Sequence, residues 1–229
     1  MKAIRPIHSL CMLGDSLAKG VIVDSAKKNY TFLKECFVNL FSAATGIVVD
    51  NFSKFGCTVT KGLEIARRYG DKLKGYDYVV LEFGGNDSNF NWREISERPR
   101  DLHMPATPLG EFEENYKALI DQVRESGGRP LMLNLPPVDG QRFFDWVSRN
   151  LNRENILRWL YGDVNTISRW HAGYNDAVCR VAGEKKVPLI DIRSIFAGKG
   201  KLTDYYCIDG MHLNAKGHKI VTERICAYA

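Results

Sequence analysis

No stretch of the chain approaches the ~20 consecutive apolar residues of a membrane-spanning helix, and the opening "MKAIRPIHSLCML" holds too short an apolar run for a secretory signal. A cytoplasmic protein with no membrane span is the expectation. The six cysteines form no C-x-x-C pair and no dense framework in 229 residues, so buried free thiols are expected rather than a disulfide scaffold or a thiolate metal site. The net charge of +5 is not concentrated. Basic doublets such as Lys27-Lys28 and Arg67-Arg68 are scattered among acidic residues, which describes a solvated surface and excludes a nucleic-acid footprint. A phosphate-cradling loop is also missing: in "GDSLAKG" the lysine precedes the second glycine and no Ser or Thr follows it. Nothing in the composition sets an oligomeric state.

What the chain does have is regular alternation. Short, nearly continuous apolar runs at 9–13, 47–52, 78–83, 131–135 and 187–192 read as strands covered on both faces. Between them lie amphipathic patterns. Leu33, Phe37, Leu40, Phe41 and Ala44 form one helical stripe, and Phe112, Tyr116, Leu119, Ile120 and Val123 form another that stops at Gly127, Gly128 and Pro130. A third runs through Ile167, Trp170, Tyr174, Ala177 and Val181. A last helix follows Asn214, a good N-cap, with Ile220, Val221 and Ile225 on its apolar side. Strands alternating with helices predict an α/β protein, a three-layer α/β/α sandwich on a five-stranded parallel sheet. The length fits one domain over 1–229. Two connections exceed what this architecture needs. Residues 88–110 show no clear period, and 137–163 are expected to add one or two short helices carrying Phe143, Phe144, Trp146 and Trp159, as local core, as a substrate wall or as a subunit contact.

In parallel sheets ligands collect at the carboxyl ends of the strands, so the residues after each strand matter most. After the first comes Gly14-Asp15-Ser16-Leu17, where a tight turn can lift the Ser16 hydroxyl to the sheet edge; a local turn or cap role accounts for an isolated serine equally well. A serine nucleophile needs a base and a group to orient that base. Of five histidines, His212 alone sits in a turn before a helix with a carboxylate, Asp209, three residues earlier. That spacing lets Asp209 accept from Nδ1 and leaves Nε2 to face Ser16. Gly56 after the second strand and Asn86 in "GGND" after the third could donate to a developing oxyanion. Each also has a turn explanation. Taken together, they fill every role acyl transfer requires.

At these residues the chain resembles the SGNH hydrolases, the GDSL esterase and lipase family. Ser16 in "GDSL", Gly56 in "NFSKFGCT", Asn86 in "GGND", and Asp209 with His212 in "DGMH" match its four blocks in order, across residues 14–212. The resemblance implies a flavodoxin-like sheet of order 2-1-3-4-5 and hydrolysis through an acyl-enzyme with no metal and no cofactor. It implies a catalytic triad of Ser16, His212 and Asp209, and an oxyanion hole made of the Ser16 and Gly56 N–H groups and the Asn86 side chain. Asp15 is read as positioning the serine turn. The expected substrate is a small-molecule ester, with acetylated carbohydrates included. A thioesterase or lysophospholipase of the same family, and a non-catalytic glycan-binding module, are the alternatives. Arg93, Arg98 and Arg100 are either solvated charges or partners for an acidic substrate group.

Overall fold

A computed structural model describes residues 7–198 and 200–228. Its strands are β1 (Ser9–Gly14), β2 (Val21–Asp24), β3 (Asn29–Phe32), β4 (Val48–Asn51), β5 (Tyr78–Glu82), β6 (Pro130–Leu133) and β7 (Leu189–Ile190). Five of them form a parallel sheet in the order β4-β1-β5-β6-β7. Counted among the sheet's own strands, that is 2-1-3-4-5, the expected order. The fifth is shorter than its apolar run suggests, because only Leu189 and Ile190 pair with β6.

Alternate residues of each strand enter opposite cores, as the two-residue period of a strand requires. Leu13, Val79, Leu81 and Met132 face one layer, built from α3 (Val59–Arg68), α6 (Leu109–Glu125) and α9 (Asn165–Glu184). Leu10, Met12, Val80 and Ile190 face the other, built from α2 (Phe37–Thr45) and α10 (Ala215–Cys226). The α6 stripe of Phe112, Tyr116, Leu119, Ile120 and Val123 is fully buried, and each such side chain contributes about 1.5–3 kcal/mol of burial. The helix ends as expected: Gly127 has a φ of 77°, and the Gly128 N–H returns to the Val123 carbonyl at 2.9 Å.

Some local expectations need adjustment. Leu33 lies before α2, whose N-cap is Cys36, so the first turn of the expected stripe is not helical. Trp170 and Ala44 are exposed rather than core. The connection at 88–110 contains α5 (Trp92–Glu97), capped by Asn91 through the Glu94 N–H. The one at 137–163 contains α7 (Gly140–Ser148) and α8 (Arg153–Trp159). These three helices share an accessory core of Trp92, Ile95, Phe143, Phe144 and Ile156. All six cysteines are unpaired; Cys11, Cys36, Cys57 and Cys207 are buried, whereas Cys179 is exposed.

The antiparallel hairpin β2–β3 is an addition to the expected alternation. It follows α1 (Ser16–Lys19), whose end is closed by Gly20 in the left-handed region, and it reaches across to the opposite end of the chain. There the Val23 N–H meets Cys207 Sγ at 3.5 Å, and the Tyr30 hydroxyl accepts from Trp146 Nε1 at 3.0 Å.

Candidate active site

Ser16 is the first residue of α1, immediately beyond β1, and it is buried. Asp15 makes this turn: its Oδ1 accepts from the Leu17 N–H at 2.9 Å, capping a helix of only four residues. As the first helical residue, Ser16 has a backbone N–H without an intrahelical acceptor.

The histidine arrives from the far end of the chain. A bridge between Tyr206 and Leu213 and the bond from Cys207 N to His212 O at 2.8 Å close a tight turn ahead of α10. Inside it the Asp209 carboxylate is held at Oδ1 by the N–H groups of Met211 and His212, at 3.2 and 3.1 Å. Its Oδ2 lies 2.6 Å from His212 Nδ1, and His212 Nε2 lies 2.9 Å from Ser16 Oγ. An ionised carboxylate can only accept, so Nδ1 carries the proton and Nε2 accepts from the serine. Gly210 seats the whole turn. Its φ is 68°, its carbonyl accepts from Asp139 N at 2.9 Å, and a Cβ there would stand 2.6 Å from the Asp139 carbonyl oxygen.

Asn86 projects from the turn after β5, and its Nδ2 donates to Asp15 Oδ2 at 3.0 Å and to the Cys57 carbonyl at 3.1 Å. Both partners are acceptors, which fixes the amide orientation. In this state both amide protons are occupied, so an oxyanion would share one of them. Gly56, next to Cys57, has a φ of 71°, and its N–H has no acceptor among the described residues. Asp87 does not cap its own turn. It reaches the start of α3, accepting from the Val59 N–H at 3.0 Å and from Thr107 Oγ1 at 2.7 Å; burial raises its pKa to about 7. The structure thus joins Ser16, His212 and Asp209 in series and links Asn86 to the serine turn through Asp15, while Gly56 lies one residue before Cys57, the carbonyl partner of Asn86.

Four groups at the site escape the sequence reading. Tyr30, from the hairpin, has its ring 5.3 Å from that of His212, and Phe55 stacks 6.3 Å from the same imidazole. The alternating "VIVD" and "NYTF" around a four-residue loop is the available signal for Tyr30. Glu82, the last residue of β5, is buried under the serine turn with its Oε2 3.4 Å from the Asp15 N–H. Burial and the Asp15 carboxylate push Glu82 well above its ordinary pKa, and burial raises Asp15 too. Two adjacent buried carboxyls cannot both ionise at little cost, so the site favours the protonated form of Glu82, the more strongly raised of the two. The fourth is His171, on α9. It faces the cleft of about 30 Å³ that also meets Ser16, Asn86, Leu135 and Met211.

Beside that cleft opens a cavity of about 530 Å³, walled by Phe90, Trp92, Phe143, Trp159 and Trp170. Val138, His171 and Met211 line both spaces and form the junction between them. The two long connections supply most of the wall. Arg100 lines the cavity, whereas Arg98 is paired with Glu94 and Asp101 on the surface.

A parallel α/β sandwich with a serine, a histidine and a carboxylate joined in series at the carboxyl edge of its sheet has the layout of a serine hydrolase. Residues 12–220 match the model of the GDSL-like lipase/acylhydrolase family, and the chain belongs to that family of carboxylic ester hydrolases. It is 22% identical over 219 residues to the spore germination lipase LipC of Bacillus licheniformis, covering 94% of this chain and 93% of that one. It is 25% identical over 219 residues to the isoamyl acetate-hydrolyzing esterase of Saccharomyces cerevisiae, covering 93% and 82%. In fold it resembles the native aryl esterase of M. smegmatis, with a TM-score of 0.66 at 13% identity and coverage of 96% and 97%. Among the described residues no helix is long and apolar enough to cross a membrane.

Proposed function

We propose that the protein is a serine esterase that removes a short acyl group from an alcohol with a large apolar body through an acyl-enzyme on Ser16. The observation that carries this reading is the unbroken series Asp209–His212–Ser16 at 2.6 and 2.9 Å, set beside a tight cleft and a far larger aromatic cavity. Ser16 attacks the ester carbonyl while His212 Nε2 takes its proton, and Asp209 holds the imidazole and stabilises its charged form. The oxyanion is met by the N–H groups of Ser16 and Gly56, with Asn86 sharing a proton from its present bonds. His212 then returns the proton to the leaving alkoxide. Water, activated by the same nitrogen, releases the acid.

The size difference between the two spaces supports the assignment of the halves. A cleft of about 30 Å³ suits an acetyl-sized group, and the cavity of about 530 Å³ suits the body of the alcohol. The leaving oxygen must lie near His212, and Met211, its neighbour in sequence, borders the cavity. A relative that hydrolyses isoamyl acetate fits this division. The test is a series of esters on one alcohol, phenethyl acetate to phenethyl octanoate, with acetyl-CoA and octanoyl-CoA alongside. kcat/KM should fall steeply with acyl length and be lost in Ser16→Ala. A preference for octanoyl or CoA substrates would replace this reading with a lipase-like or thioesterase one.

A further inference from the structure

His171 stands in the first half of α9, 5% exposed; its Nδ1 is enclosed without a hydrogen-bond partner among the described residues, whereas Nε2 is equally unpartnered but not enclosed. Burying an unpaired imidazole nitrogen is costly, and native interiors leave few polar atoms in that condition. Its position is specific. His171 is one of three residues common to the serine cleft and the aromatic cavity, and the other two, Val138 and Met211, are apolar. Leu135 and Pro136 complete this part of the cleft, so the junction is apolar except for one imidazole.

The helix that carries the ring is tied to the sheet. The Leu135 N–H donates to Asn175 Oδ1 at 3.1 Å, tying α9 to the end of β6 one turn beyond His171. Burial, with a smaller contribution from the nearby Arg193 guanidinium, lowers the His171 pKa to about 3. The ring is therefore neutral and offers one donor and one acceptor nitrogen. The cavity walls beyond it are interlocked: Phe90 meets Trp159 at 4.9 Å and Trp170 at 5.4 Å, and Trp92 meets Phe143 at 5.8 Å. Tilted and edge-on aromatic packing of this kind interlocks the rings of the slot's wall.

Resting on the esterase reading above, we propose that His171 is the specificity-determining contact for the alcohol half of the substrate. Its Nε2, which is not enclosed and has no hydrogen bond among the described residues, bonds a hydroxyl carried close to the ester oxygen, while the aromatic slot holds an apolar body. The substrate class is then the short-chain monoester of an aromatic vicinal diol. A plain apolar alcohol would fill the slot yet leave the imidazole unpaired. Sites built around a buried polar group discriminate in that way.

The test compares phenylethanediol with 2-phenylethanol as ligands of the full chain carrying Ser16→Ala, measured by calorimetry and by the ¹⁵N resonances of the His171 ring. The diol should bind about tenfold tighter, equivalent to about 1.4 kcal/mol, and it alone should shift the ring resonances as a new hydrogen bond would. In His171→Leu the preference should vanish. His171→Gln, which returns a polar atom to the junction, should restore part of it and serves if the leucine variant does not fold. Equal affinities, or a preference that survives His171→Leu, would overturn the proposal. Turnover of phenethyl acetate and of the diol monoacetate by the unsubstituted protein separates the two readings. Hydrolysis of both without a preference defeats the His171 assignment alone, whereas diol-selective binding without hydrolysis of either ester defeats the esterase reading and upholds the pocket.

Discussion

Asn86 and Asp15 are joined through a 3.0 Å bond from the amide nitrogen to the carboxylate, so the group expected to face an oxyanion is anchored by the residue beside the expected nucleophile. The other carboxylate oxygen of Asp15 caps α1, so one side chain sets the serine turn and the asparagine together. Asp15→Ala should lower kcat by about 100-fold, the scale seen when one oxyanion donor is lost. Glu82→Gln should be near-neutral in activity, because glutamine keeps the shape and the donor of a protonated Glu82.

The same pair makes a prediction about pH. A carboxyl whose folded pKa is raised lets the folded state keep a proton that the unfolded chain releases. Wild-type stability should therefore decline through this group as pH rises from 4.5, its ordinary value, towards the raised folded value. Urea unfolding of wild type and Glu82→Gln from pH 5 to 9 reads the effect directly. The variant should gain on the wild type as pH rises; parallel curves would show that folded Glu82 does not keep its proton above its ordinary range.

His218 titrates with the opposite consequence. It is fully buried on α10, its Nδ1 accepts from the Phe37 N–H at 3.2 Å, and burial lowers its pKa from 6.5 to about 4. Stability held by the neutral ring is present above pH 6.5 and lost as pH falls towards 4. Each tenfold rise in proton concentration across that window costs about 1.4 kcal/mol. His218→Asn keeps an acceptor for Phe37 and removes the titration. Its unfolding midpoint should fall less than that of the wild type between pH 6.5 and 4.

Gly210 and Gly56 separate strain from collision. Both have positive φ, but a Cβ at Gly210 would strike the Asp139 carbonyl, whereas one at Gly56 meets nothing within 4 Å. Gly56→Ala should cost about 1 kcal/mol of backbone strain. Gly210→Ala should cost clearly more and should also lower kcat, because the turn that aims Asp209 and His212 must move. Equal losses in melting temperature would mean that the Asp139 contact is not what seats the turn.

Trp159 tests the cavity as the alcohol site. It packs edge-on against Phe90, with ring centroids 4.9 Å apart, and lines the slot away from Ser16. Trp159→Ala should raise KM for phenethyl acetate about tenfold with kcat within about threefold, the pattern of lost uniform binding. A fall in kcat with KM unchanged would place the alcohol elsewhere.

Much of this fold is legible in the sequence because its strands are buried on both faces and its longest helices carry strong apolar stripes; the alternation predicts the parallel sheet, and the family resemblance supplies its strand order. Ser16, Gly56, Asn86, Asp209 and His212 stand out because each follows a strand or precedes a helix at the same sheet edge. What escapes has no such marker. Tyr30 depends on a short, exposed hairpin whose place is set by contacts with Trp146 and Cys207, more than a hundred residues away. Glu82 reads as one more residue of an apolar strand, and His171 falls within a helical pattern; only packing reveals that one lies buried under the Asp15 turn and that the other borders two cavities.

The central claim, that Ser16 is the nucleophile activated by His212, is tested most directly by reacting the protein with a fluorophosphonate and mapping the label by peptide mass spectrometry. One label should appear on Ser16, fall sharply in rate in His212→Ala, and be absent from Ser16→Ala, which should also have lost ester turnover. Label on another residue, or ester turnover that persists in Ser16→Ala, would contradict it.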